Sequence, residues 1–214
     1  METFNELLNL ARPVFETIYF LSGVVVSGCA IYALKQVALL KKSISIQSKR
    51  DALKLTAEQC NDYMQVIIPL QNKLNNSIEK NGVTFFEGWT VDITKENCSV
   101  THQGTPNTHG LENISCSNVL NAMETFSTYF VSGVADDTVA YHTVGTTFLH
   151  SVNKLMPVLI NYRESGYYKN VTTLFIRWRC RRNEEDLIKE KEIIEQKLKS
   201  NKVSIPLPLG EKVT

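Results

Sequence analysis

The chain has 214 residues, 23 of them Lys or Arg and 22 Asp or Glu, with a formal net charge of +1 and 43% hydrophobic residues. That balance gives no general nucleic-acid signal, so no nucleic-acid partner is expected. The five cysteines, odd in number and widely scattered, suit a reducing compartment better than a disulfide framework.

Phe4, Leu7, Leu8 and Ala11 recur at helical spacing ahead of Pro13, so residues 1–13 are expected to be a short interfacial helix on the outer side of a membrane. The stretch 17–34, TIYFLSGVVVSGCAIYAL, carries no charge. As a helix it rises about 27 Å, and Ala38, Leu39 and Leu40 extend it toward the thickness of a hydrocarbon core of about 30 Å. A soluble core helix would show a polar face; here only Ser22, Ser27 and two end-lying tyrosines, Tyr19 and Tyr32, interrupt the apolar surface. Lys35, Lys41, Lys42, Lys49 and Arg50 follow the stretch, against Arg12 alone before it. The positive-inside rule then puts the N-terminus outside and the rest in the cytoplasm, anchored once in the inner (plasma) membrane. Residues 14–42 are thus expected to be the span and its basic juxtamembrane collar. An acidic n-region, with Glu2, Glu6 and Glu16, fits a cleaved signal peptide poorly. Val26-Ser27-Gly28-Cys29 matches the small-residue pattern before a lipidated cysteine, but the apolar run continues past Cys29 instead of giving way to a polar tether. Gly23, Ser27 and Gly28 read better as small residues that let another span approach.

Residues 43–200 are expected to form one helical domain. Leu53, Thr56, Cys60, Met64, Ile67, Leu70, Leu74 and Ile78 keep a spacing of three or four, which predicts a long amphipathic helix that runs to about Asn76, bent near Pro69, with Asn81-Gly82 ending it. Trp89, Val91 and Ile93, then Cys98, Val100 and His102, alternate with polar residues around the turn Lys95-Glu96-Asn97, predicting a small hairpin within 84–103. The polar run 103–113 reads as loop. Val119, Met123, Phe126 and Phe130 mark the next helix, with Gly133 as its C-cap and Asp136 or Asp137 as the following N-cap. Ala140, Val144, Phe148, Val152, Leu155 and Leu159 form the inner stripe of that following helix. Ser165-Gly166 breaks the chain before a last helix from near Tyr168 to near Lys199, and residues 201–214 are a tail.

The last helix changes its apolar side. Val171, Leu174, Phe175 and Trp178 share one sector, whereas Leu187, Ile194 and Leu198 lie roughly opposite. The first half is expected to sit in the bundle, and the second to meet a protein partner or another copy along a Leu187, Ile194 and Leu198 seam. The plain alternative for the second half is a solvated helix laced with ion pairs.

Chemistry is sparse. Cys98, His102, His109 and Cys116 lie close in sequence, but their gaps match no familiar zinc module. His142 and His150, eight positions apart on one helix, stand too far apart for one ion and lie off the apolar stripe. Glu124, Asp136 and Asp137 read as capping carboxylates more readily than as an acid-base set. Arg177, Arg179, Arg181 and Arg182 make the densest basic cluster and a candidate anion site, although the helical wheel puts Arg177 with Arg181 and Arg179 with Arg182 on different sides, and Glu184 and Glu185 stand ready as partners. Phosphate-cradling glycine loops and nucleophile elbows are missing from the sequence, and no metal, cofactor or catalytic residue is expected.

KRDALKLTAEQCNDYMQVIIPLQNKL at 49–74, TFFE at 84–87, METFSTYFVSGVADDTVAYHTVGTTF at 123–148 and LFIRWRCR at 174–181 resemble a group of small bacterial single-pass membrane proteins catalogued as a domain of unknown function. The resemblance implies an N-terminal span followed by a cytoplasmic, mainly helical domain, and it supplies no catalytic residue. Two functions are expected to compete: a membrane-tethered interaction or sensing module, and a domain that binds or processes a phosphorylated ligand through the arginine cluster.

Overall fold

The computed structural model describes residues 2–94 and 97–200, with side chains from residue 11 onward. The fold is mainly helical with one small antiparallel sheet, and it divides after Ala52 into two compact units, Met1–Ala52 and Leu53–Thr214.

The first unit lies within helix α1, Glu2–Asp62, which runs through Pro13 without a break. The separate short helix expected ahead of Pro13 is therefore part of α1. A proline removes one backbone donor but does not stop a helix whose neighbours on both sides favour it, and the Thr17 hydroxyl donates to the Pro13 carbonyl at 2.8 Å. Phe20, Val24, Val26 and Leu34 are all exposed. Among the described residues this is the one helix long and apolar enough to cross a membrane, and none of its apolar window is buried.

The second unit opens with the end of α1, which passes into a π turn at Tyr63–Ile67 and then into α2, Ile68–Lys80. The expected disturbance near Pro69 takes this form. Pro69 sits in the first turn of α2, where its missing N–H is tolerated, and the π bond from the Ile68 N–H to the Tyr63 carbonyl absorbs the extra residue. Strands β1, Trp89–Ile93, and β2, Cys98–His102, pair antiparallel with Trp89 opposite His102 and Ile93 opposite Cys98. The hairpin is as the alternation predicted; Lys95 and Glu96 of its turn lie outside the described residues.

Helices α3, Ser117–Val131, α4, Asp137–Glu164, and α5, Lys169–Ser200, complete the bundle. Gly133, at φ 75°, closes α3 by donating to the Phe130 carbonyl at 3.3 Å, a conformation that suits a residue without Cβ. Asp136 caps α4 by accepting the Val139 N–H at 3.0 Å. All six residues of the expected α4 stripe are buried, and Tyr141, Leu149 and Met156 widen it, so α4 is clasped on more than one side.

The core is built around Trp178, which is 0% exposed. The ring centroids of Phe148, Tyr141, Phe130 and Phe126 stand 5.0, 5.9, 6.1 and 6.4 Å from it. Tyr63 stacks on Phe126 at 4.9 Å, tying the π turn to α3. A polar thread crosses this apolar centre: Gln71 Nε2 donates to the Tyr63 hydroxyl at 3.2 Å, and Gln71 Oε1 accepts from Ser151 at 3.0 Å. Burial pushes the Tyr63 phenol up to about 12.

Candidate functional site

Helix α5 is held at its start and open at its end. Glu124 of α3 accepts the N–H groups of Asn170 and Val171 at 3.1 and 2.9 Å, so a carboxylate from another helix satisfies two donors of the first turn and faces the positive end of the helix. Val171, Leu174, Phe175 and Trp178 are buried. From Asp186 onward every described residue of α5 is exposed. Leu187, Ile194 and Leu198, the residues of the expected seam, are 65%, 49% and 66% exposed, with no cover among the described residues.

The arginine cluster separates as the helical wheel implied, and Arg181 alone among the four takes an expected carboxylate, Glu185. Arg177 turns away from the acidic residues ahead of it on α5 and donates to the Phe130 carbonyl at 3.2 Å and to Asp137 at 3.4 Å. Arg181 pairs with Glu185 at 3.5 Å, faces His142 Nε2 at 3.3 Å and lies 4.3 Å above the Tyr141 ring. Arg182 donates to the Thr146 hydroxyl at 2.6 Å. Burial, then the Glu185 carboxylate that accepts its proton at 2.8 Å, raises the Tyr141 phenol, with Arg182 opposing.

Arg177 and Arg181 share a groove of about 870 Å³ with Lys169, Arg163, Thr172 and Thr173; its lining includes Ile176 and Cys180, and Glu184 is its one carboxylate among the described residues. Arg163 enters from the end of α4, where its guanidinium donates to Asn97 Oδ1 at 3.0 Å. Arg179 and Arg182 instead border a smaller depression of about 320 Å³ with His150, Asn153 and Asp186. The four arginines do not converge on one point. The sequence reading missed Arg163 and Lys169, which come from a different helix and from a position eight residues before Arg177.

The groove and the seam lie on one side of α5. Ile176, Cys180, Glu184, Leu187, Lys191, Ile194 and Leu198 follow one another at steps of three or four, so the open groove runs directly into the exposed apolar stripe.

The remaining candidates have structural partners. Cys98 is buried with its sulfur 3.9 Å from that of Met156, and Cys116 is buried before α3, whereas His109 is exposed. His102 lies between the carbonyls of Gly104 and Glu87, at 3.0 and 3.2 Å. Among the described residues no three metal-type ligands come together. Burial raises the thiols of Cys60, Cys98 and Cys116, the last to about 11, which keeps them protonated and unreactive at neutral pH. Asp137 accepts from Trp178 Nε1 at 2.9 Å, so Glu124, Asp136 and Asp137 each serve a different helix end or side chain. His142 and His150 are exposed. Lys35, Lys41, Lys42, Lys49 and Arg50 are exposed on α1, with no ion pair among the described residues.

Comparison with known proteins finds no matching family model, no matching curated protein and no matching solved structure.

Proposed function

We propose that the protein is a single-pass membrane-anchored interaction module. The apolar part of α1 spans the membrane, the basic collar holds the C-terminal side at the cytoplasmic face of the plasma membrane, and the helical domain offers the second half of α5 to a protein partner. The resemblance to small bacterial single-pass proteins fits this arrangement. One observation carries the reading: a single helix has Trp178 sealed in the core and Leu187, Ile194 and Leu198 bare in solvent. A projecting helix of this length is marginal alone in water, because most helical stability comes from covering an apolar face.

Photoreactive residues placed in the full chain in cells test it. Ile194 is expected to give a discrete protein adduct, and Lys189, on the other side of α5, none. Equal labelling, or none at Ile194, contradicts the reading. A cytoplasm-dependent reporter fused after Thr214 is expected to be active; activity of an export-dependent reporter there contradicts the sidedness.

A second reading rests on the groove, where among the described residues Arg163, Lys169, Arg177 and Arg181 stand against Glu184. A phosphorylated ligand suits that charge, while the Thr172 and Thr173 hydroxyls donate to the Tyr168 and Lys169 carbonyls of their own helix at 3.0 and 2.8 Å. Inorganic phosphate is then expected to shift the amide resonances of Thr172 and Thr173, and unchanged resonances contradict it.

A further inference from the structure

The side chains along the exposed half of α5 narrow what its partner is. Resting on the interaction reading, we infer that this half is the seam of a homodimer in which the α5 helices of two copies run antiparallel.

Cys180, Glu184, Leu187, Lys191, Ile194 and Leu198 alternate steps of four and three, the spacing that keeps one stripe facing a partner helix. Two of these six positions are charged, with opposite signs. Glu184 is exposed and makes no ion pair among the described residues, and Lys191 reaches only Glu195 on its own helix, at 3.8 Å.

In a parallel pair, identical positions face each other. Glu184 would meet Glu184 of the second copy and Lys191 would meet Lys191, two like-charge contacts inside a seam, with Glu190 beside Glu195 at its edge. Reversing one helix removes all three conflicts and leaves one at the edge, where Glu190 comes beside Glu190 of the second copy near the two-fold axis. With Glu184 level with Ile194 of the second copy, Leu187 is level with Lys191 and Cys180 with Leu198. Glu184 then lies one turn from Lys191 of the second copy, twice over by symmetry, and Arg181 falls near Glu195. The antiparallel pair carries fewer like-charge contacts than the parallel one and places its seam charges opposite in sign.

Continuity with the groove favours the same occupant. In this register Leu198 of the second copy arrives beside Cys180, which lines the open groove. An anionic lipid surface fits less well, since Lys189, Lys191, Lys197 and Lys199 are matched in number by Asp186, Glu190, Glu192 and Glu195, leaving residues 186–200 without a basic excess.

The test uses the full chain in lipid nanodiscs, mixing isotopically light and heavy copies. A photoreactive residue at Leu198 is expected to join the segment around Cys180 and Glu184 of the other copy. Glu184→Lys and Lys191→Glu are each expected to weaken dimerisation about tenfold, and the double reversal to restore it. Adducts from position 198 to position 198 mean a parallel pair and overturn the inference. Singles that leave dimerisation unchanged, or a double reversal that stays as weak as they are, also overturn it. A monomeric chain in which Ile194→Lys still abolishes capture of a different protein overturns the homodimer and leaves the interaction reading standing. A monomer in which Ile194→Lys changes nothing overturns both.

Discussion

Trp178 Nε1 donates to Asp137 Oδ1 at 2.9 Å, fixing the largest buried side chain of α5 to the first residue of α4. The same oxygen takes Arg177 at 3.4 Å. Asp137 therefore works as an anchor for α5, and Asp136 does the capping.

Replacing Asp137 with Ala leaves a buried indole N–H without its acceptor. The expected cost is about 1–3 kcal/mol, read as a lowered denaturation midpoint with unchanged slope. Asp137→Asn keeps an oxygen in place and is expected to cost less. Equal midpoints for wild type and both variants would remove the anchor role.

Glu124→Gln tests the cap that one helix supplies to another. It keeps the shape but replaces one acceptor with an amide and removes the charge facing the helix start, an expected loss of about 1 kcal/mol. The local signature is faster amide exchange at Asn170 and Val171. If those two amides exchange at the wild-type rate, α5 does not depend on Glu124.

Tyr63 gives a pH dependence with a definite sign. Burial raises its phenol from 10.0 to about 12, so the folded state holds the proton after the unfolded state has released it. Stability from this residue is intact below pH 10 and falls as pH rises toward about 12. The total fall is roughly 2–3 kcal/mol. Tyr63→Phe is expected to flatten that part of the urea-unfolding profile. An unchanged slope in the variant would contradict it.

Features that repeat within one element were readable in advance. The α4 stripe from Ala140 to Leu159 and the alternation of Trp89, Val91 and Ile93 follow from the periods of helix and strand, and both elements formed as expected. Contacts between distant segments were not readable. Glu124 and Val171 meet across 47 positions, and Arg177 finds Asp137 across 40, passing over the acidic residues on its own helix. Local pairing rules pointed to Glu184 and Glu185, and for Arg181 they held. Pro69 announced a disturbance, but its form, a π turn placed before the proline, depends on how α1 and α2 both reach the core. The groove arises where α5 passes the end of α4, so no single stretch of sequence contains it.

The division of α5 into a buried and a docking half is tested most directly by two variants of the full chain, each measured for Tm and for assembly in nanodiscs. Trp178→Ala removes a fully buried aromatic, an expected cost of about 3–5 kcal/mol, and should lower Tm sharply. Ile194→Lys puts a charge in the exposed stripe and should leave Tm of the helical domain nearly unchanged while abolishing assembly. If both variants lower Tm equally and neither alters assembly, α5 is one continuous bundle element and the docking half does not exist.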